Sequence, residues 1–575
     1  MKNINIIIKI KDLIVFASFA LIIFGCETTS LKVEETPNAL SDSSADIDLF
    51  LNAIQQGISS FHSGVEGSGF DGMSEFGMEP VRMLHGFGPS YRELESPANY
   101  NQAWGNAYSF TLADIRSMTP VAEEAGLFTH VAIGQIIESY VMLTLVDFFG
   151  DVPYTEAIQG STGIFNPKLD SGASIYEAVE KLLIDAVANL NKDEIALPTT
   201  DLYYNGDESS WIKVANTMRL KLYLQTRIAN DEGFGASNSK SKINDLISNG
   251  DLILSSADDF QFQWSTNASA PDSRHPFFEK NYGGTGPSSD FYMANYYLNL
   301  LANKYSMPDP RIRYYFYRQV SDFSDASTQT QPCSSQPLPA HYNSGDLFCQ
   351  VPNTNGYNGL WGWDHMNSDG IPPDQQFRTL VGVYPAGGAY DDSSFRNLSG
   401  NTAPSEGLQG AGISPLLLSS YTNFMLAESA LTLGTTGDAK IYLENGMKES
   451  FNKVKAFGAS VAQTSTTIPT QADFDAYVVD VIADYDAGDD TQKLKVIVEQ
   501  YFIALWGNGI EAYNTYRRTG QPSDLQPAVD LADPGTFIRS AWYPSNAADN
   551  NSNINQKDDV TQPVFWDTNS AGFVD

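Results

Sequence analysis

Apolar residues recur at helical spacing through the first and last parts of the chain and lose that period in the middle. Ile175, Ala178, Val179, Leu182, Leu183, Ala186 and Leu190 fall on one face, the three-to-four spacing of an amphipathic helix. Ser174 followed by Glu177 reads as a capping box at its start. Trp211, Val214, Ala215, Met218 and Leu222 repeat the pattern behind Ser209 and Ser210. The stretch from Phe128 to Phe148 is apolar nearly all round, which predicts a central buried helix. Leu426, Ala427, Ala430 and Leu431 run to Gly434, a C-cap residue, and Asp438 caps a second helix bearing Ile441, Leu443 and Met447. Two helices joined by so tight a turn form a helical hairpin of the tetratricopeptide kind. Helices are expected to resume at Pro415, and a long one is expected from Lys493 to Arg518.

Residues 251–410 are dense in Gly, Pro, Ser, Asn and aromatics with little sustained period. They read as a loop-rich insertion with short helices, one from Asp290 to Lys304. At the start, Lys2, Lys9 and Lys11 precede an apolar run from Leu13 to Phe24, and Gly25 stands before Cys26. That order describes a secretory signal over 1–25 whose following cysteine is lipidated, and the run is too short to read well as a spanning helix. Residues 26–45 are polar and aperiodic, a flexible tether. The expected fold is mainly α. A tetratricopeptide-like helical-pair scaffold (46–250 and 411–575) would carry the insertion (251–410) within a single domain, 46–575.

Composition narrows the function. With 42% hydrophobic and 12% aromatic residues the chain supports a large core. Its net charge of −35 repels phosphate backbones, and no basic aromatic stretch offsets it, so nucleic acid is not an expected partner. Cys333 and Cys349 remain as a pair after Cys26 is assigned to lipid. In an oxidising compartment they are expected to form a disulfide. No Gly-x-Ser-x-Gly elbow, His-Glu-x-x-His helix or Gly-rich phosphate loop occurs. Asp484, Asp486, Asp489 and Asp490 hint at a calcium loop, but the glycine at its sixth position is missing and Lys495 stands where a glutamate belongs. Asp364, Asp369 and Asp374 are a second acidic set. No cofactor is expected, with a structural calcium the sole candidate.

Four ordered stretches carry a family resemblance. They are Leu145-Val-Asp-Phe-Phe-Gly-Asp-Val-Pro-Tyr-Thr-Glu156; Gly370-Ile-Pro-Pro-Asp374 with Gly382-Val-Tyr-Pro-Ala-Gly-Gly388; Trp506-Gly-Asn-Gly-Ile-Glu-Ala-Tyr513 with Tyr516-Arg-Arg-Thr-Gly-Gln-Pro522; and Tyr543-Pro-Ser-Asn546 with its Asn-rich tail. Together with Cys26 they resemble the SusD/RagB family of outer-membrane lipoproteins, nearest its RagB-type members. The resemblance implies an outer-membrane protein, lipid-anchored and facing the cell exterior. Such a protein captures a polymer fragment and passes it to a SusC-like TonB-dependent transporter, acting as its lid. The stretches themselves also have a purely structural reading: Gly150 and Pro153 end a helix, and Arg517 and Arg518 suit a helix C-terminus.

A sugar ring offers an apolar face and a rim of hydroxyls, so its receptor needs aromatic planes beside amides or charged groups. Tyr357-Asn-Gly-Leu-Trp-Gly-Trp-Asp364 supplies that mixture. Trp361 and Trp363 alternate, so an extended segment points both to one side. Tyr357, Asp364, Trp264, Tyr282, Phe87 and Tyr91 complete the candidate ligand set, with no catalytic residue among them. The same aromatics would equally serve to fix the insertion on the helices. The expected function is non-catalytic oligosaccharide capture. Oligopeptide capture, a helical glycoside hydrolase and a purely structural lipoprotein are the alternatives.

Overall fold

A computed structural model describes residues 47–575 apart from 66–69, 89, 231–232, 284–290, 323–331, 370–373, 375, 399–403, 464, 531–536 and 571. Cys26, the signal and the tether lie outside the described residues, as do positions 370–373 of the second family motif. Residues 46–575 form one compact unit.

Helix α1 (Ile47–Ser63) leads into α2 (Ala113–Ala125), α3 (Phe128–Phe149), α4 (Gly172–Leu190), α5 (Glu208–Gln225) and α6 (Ala236–Asn249). After the insertion come α8 (Ser419–Leu433), α9 (Ala439–Ala462), α10 (Gln471–Ala487), α11 (Asp490–Ala504) and α12 (Gly509–Thr519), while α7 (Asn295–Asn303) belongs to the insertion itself. Sequence neighbours pack as pairs: α3 on α4, α4 on α5, α8 on α9 and α10 on α11. The mainly α, paired-helix expectation is therefore met.

Helix α3 is the centre. It is long and apolar enough to cross a membrane, but 94% of its apolar window is buried inside the protein. Its polar residues are accommodated by partners. Asp147 accepts from the Tyr176 hydroxyl at 2.5 Å, the Asn514 amide at 2.6 Å and the Trp566 indole at 2.9 Å. One buried carboxylate so ties α3 to α4, α12 and the C-terminal segment, because a buried charge is tolerated only when its lone pairs are used. Arg518 of α12 makes a bidentate pair with Glu428 of α8, both contacts at 2.8 Å. Burial would raise the Glu428 carboxyl, but Arg518 and Arg227 hold it below the ordinary glutamate value.

Helix ends show where local signals sufficed. Gly434 takes φ 64° after α8, and the Asp438 side chain accepts from the Lys440 and Ile441 amides to open α9. The start of α4 differs from expectation. Ser171, not Ser174, is the cap, its Oγ accepting from the Ser174 N–H. Pro415 lies in a strand, and α8 begins at Ser419. The single helix expected from Lys493 to Arg518 is two, parted at Gly507, whose φ is 97°. Asn508 then caps α12 by accepting from the Glu511 N–H. A Cβ on Gly509 would sit 2.0 Å from the Ser74 carbonyl oxygen, so a glycine there lets α12 close on the short helix Met73–Met78.

The insertion is clasped at its two ends. Strand β1 (Phe260–Gln263) pairs antiparallel with β4 (Ile413–Leu417), in the register Phe260 to Leu417 and Gln263 to Ile413 with an irregularity between Phe260 and Gln261. Inside it, β2 (Phe316–Tyr317) pairs with β3 (Leu380–Val381). The expected helix Asp290–Lys304 is shorter. Residues 284–290 lie outside the described residues, Met293 and Ala294 bridge to Leu84 and Trp363, and α7 starts only at Asn295. A disulfide joins Cys333 and Cys349.

Candidate functional site

A cleft of about 820 Å³ opens where α7, the disulfide-closed loop and the segment after α12 meet. Its apolar lining comes from Tyr296, Leu300, Phe348 and Leu525. Amides of Asn299, Asn303, Asn343, Gln350 and Gln526 line it as well. Asn295, Asn299 and Asn303 stand four residues apart on α7, a stripe of amides along one side of the helix. The innermost, Asn295, turns away from solvent and donates to Asp364 at 2.9 Å. Asn303 donates to the Asn299 carbonyl oxygen at 2.9 Å and to the Pro352 carbonyl at 2.8 Å. This leaves the Asn299 amide nitrogen and the exposed Gln350 side chain without an internal partner among the described residues.

Asp364 holds the wall in place. Its carboxylate accepts from the Cys349 N–H at 2.6 Å, from Asn295 at 2.9 Å and from Gln526 at 2.7 Å. It thereby fixes the disulfide-closed loop, the base of α7 and the segment after α12 at one point. Burial pushes this carboxyl above the ordinary aspartate value, opposed by those three donors. Trp363 adds backbone pairing: its N–H donates to the Met293 carbonyl at 3.0 Å, and its carbonyl accepts from the Asn295 N–H at 2.9 Å.

Charge enters from each wall, through Lys304 at the end of α7, Asp346 in the disulfide-closed loop and Asp524 after α12. Lys495 sits 2.9 Å from Asp524 and 3.6 Å from Glu499, and Lys304 sits 2.8 Å from Glu499. Tyr296 donates to Asp524 at 3.2 Å. Burial would raise the Asp524 carboxyl, but the Lys495 hydrogen bond and charge, with Lys304 and Tyr296, hold it below the ordinary value. Asp524 is therefore an ionised acceptor rather than a proton donor. Asp346 accepts from the Asn343 backbone N–H at 2.7 Å.

The aromatic candidates lie elsewhere, and this corrects the sequence reading. Trp361 and Trp363 are 2% and 1% exposed. The Trp361 indole donates to Asp374 at 2.7 Å, and that of Trp363 to the Asn367 carbonyl at 3.2 Å. Tyr357 is buried under the Arg318 guanidinium, 3.6 Å from the ring centre, and donates to Asp391 at 2.5 Å. Trp264 donates to Ser414, Tyr282 to the Val381 carbonyl and Tyr91 to Asp575, and all three rings are buried. Placed this way they fasten the insertion and offer no face to a solute. Phe87 is half-buried, edge-on to His85 at 4.1 Å, and does not line the cleft. Of the eight ligand candidates, only Asp364 and, through its backbone, Trp363 serve the cleft, from behind it.

The acidic sets do not converge either. Asp489 is the cap of α11, accepting from the Gln492 N–H, and Asp484 and Asp486 lie in α10. Asp364 is bound as above, Asp374 pairs with Arg378 at 2.8 Å, and Asp369 accepts from Gln336 at 2.5 Å. Among the described residues no group of three or more His, Cys, Asp or Glu side chains is arranged to hold a metal.

Comparison with known proteins agrees with this architecture. Residues 46–334 match a family model described as starch-binding associating with outer membrane. Residues 401–566 match one described as SusD and RagB outer membrane lipoprotein. Most of the cleft wall after Ser334 falls between the two matches. Among solved structures, a SusD/RagB family protein from Bacteroides thetaiotaomicron is similar at 18% identity and a TM-score of 0.64, over 92% of this chain and 100% of that one. A chitin-binding protein is similar at 20% identity and 0.62, over 91% and 100%. A chitin-binding SusD homologue from Flavobacterium johnsoniae is similar at 18% identity and 0.60, over 92% and 100%. At such identities the likeness is one of fold. No curated protein matches the chain.

Proposed function

The chain belongs to the SusD/RagB family of outer-membrane lipoproteins, and from that premise we propose that it captures oligosaccharides without cleaving them. The observation that carries this reading is the cleft on α7, where side-chain amides surround an apolar lining that includes Tyr296 and Phe348. Neutral amides match sugar hydroxyls as both donors and acceptors, and the apolar lining receives a ring face. The cleft is large enough for several sugar units, within the usual range of ligand pockets. Two of its structural neighbours are described as chitin-binding, which supports a glycan over other solutes.

Non-catalytic binding is what the family implies, and Asp524 is not suited to be an acid catalyst: the lysine contact holds its carboxyl below the ordinary aspartate value, whereas the acid of a glycosidase must be protonated. The wider role follows the family: Cys26 would carry the lipid, the folded body would face the cell exterior, and a SusC-like TonB-dependent transporter would receive the ligand beneath this lid. An oligopeptide is the second reading, favoured by Asp346, Lys304 and Asp524 in the same cleft. Lys304 is, however, already matched by Glu499.

The test is calorimetric titration of the full-length protein, in a detergent without a sugar headgroup, with maltohexaose, chitohexaose and a mixed hexapeptide. Products are analysed on the same samples. Saturable binding of a glycan with no shortened product is expected. Binding of the peptide alone, or release of shortened sugars, would overturn the proposal.

A further inference from the structure

A second groove lies on another part of the surface, between the segment before α2, the loop after α3 and the C-terminal tail. It has a volume of about 380 Å³. Four observations single it out. First, Trp104, Tyr108 and Phe165 line it. Trp104 and Tyr108 lie 4.8 Å apart, and Phe165 (77% exposed) and Ile158 (39% exposed) join them in one lining, an apolar patch left open to water. Second, the Trp104 indole N–H and the Asn546 side-chain amide have no partner within the protein among the described residues. The Asn550 amide nitrogen is used on the Asn546 carbonyl at 2.8 Å, leaving its oxygen free. Third, the wall Asn106–Leu112 is wound as a π-helix, a rare form that is frequent at functional sites. The facing Ile158 holds φ 62°, a conformation a β-branched residue adopts only under constraint. Fourth, none of the described lining residues is charged, on a chain of net charge −35.

We propose that this groove is a second contact site for a neutral sugar ring, distinct from the cleft on α7. Aromatic faces would receive the ring's apolar side, while the indole N–H and the amides of Asn546 and Asn550 would meet its hydroxyls. The uncharged lining selects against uronic or sialic acids and against charged peptides. A protein partner fits less well, since a stable interface covers about 800 Å² per side and this groove takes a few rings. Two separated contacts would let one chain hold a long polymer at two points and gain avidity without new chemistry. The inference rests on the glycan reading for its ligand class, but not on the cleft.

The test uses maltotriose and chitotriose, titrated into full-length protein in a detergent without a sugar headgroup. Compared are the wild type, a cleft variant (Asn299→Ala with Gln350→Ala), Phe165→Ala, and all three substitutions together. Two bound trisaccharides per chain are expected in the wild type and one in the cleft variant. Adding Phe165→Ala should weaken that remaining site on the order of tenfold, the size of one lost aromatic contact, with the melting temperature unchanged. A cleft variant that binds nothing, beside a wild type that binds one, overturns this inference and leaves the cleft reading intact. A single site lost on Phe165→Ala but kept in the cleft variant does the reverse. Unchanged binding in Phe165→Ala would overturn the inference and return this face to protein docking. Absence of binding by every variant overturns both.

Discussion

Two neighbouring stretches of the insertion carry opposite signals. The loop Tyr357–Asp364 has the composition of a sugar platform, yet its tryptophans are in the core with their indole N–H groups already bonded. Helix α7 has the pattern of an ordinary amphipathic helix, yet its amide stripe reaches an open cleft. The two are joined by the Trp363 backbone and by Asp364, so the loop acts on the ligand only by positioning the helix. Aromatic content thus reports how much area a segment can bury, and free hydrogen-bonding capacity reports where a ligand can sit.

The largest expected effect breaks the loop. Trp363→Ala should cost about 3–5 kcal/mol, the range for a fully buried aromatic, read as a lowered denaturant midpoint. Any fall in glycan binding should track the unfolded fraction. Asp364→Ala comes next. It takes the acceptor from the Cys349 N–H and from one amide N–H each of Asn295 and Gln526, whose other N–H bonds, to the Cys349 and Leu347 carbonyls, remain, and a buried N–H left without an acceptor costs about 1–3 kcal/mol. Denaturation should show the loss, and Asp364→Asn, which keeps part of the acceptor, should show a smaller one. Reducing the Cys333–Cys349 bridge removes a cross-link between residues 16 apart. The chain-entropy account puts this near 3 kcal/mol at most, and a lowered melting temperature under reductant would measure it.

The smallest effect is that of pH. Asp524 is held below its unfolded value near 3.9. Its contribution is therefore present above that value and lost as pH falls through the lower folded one. Affinity carried by neutral amides should stay flat between about pH 5 and 8 and decline only in stronger acid. A midpoint near neutrality would place a histidine or a raised carboxyl in the site and break the comparison.

How much of this was legible in the sequence follows from how far each signal reaches. The Gly434 and Asp438 caps act within a few residues, and both stand where the pattern placed them. The break at Gly507 is not legible because apolar periodicity continues on either side of it, and a single φ of 97° decides the matter. The inward turn of Trp361 depends on Asp374, reached across a separation of 13 residues, and alternation along a strand cannot say which face meets water. The Asn295, Asn299 and Asn303 spacing was present in the chain all along. Its meaning depended on knowing that the disulfide-closed loop stops short of covering it.

The central claim is that the helix binds and the loop supports. It is tested most directly by titrating a bound oligosaccharide into Asn299→Ala and Trp361→Phe side by side, with melting temperatures on the same samples. The account predicts that Asn299→Ala loses up to about tenfold in affinity, one hydrogen bond's worth, and melts as the wild type does. Trp361→Phe should melt earlier and bind as before. Weakened binding in Trp361→Phe with an unchanged melting temperature, and none in Asn299→Ala, would contradict it.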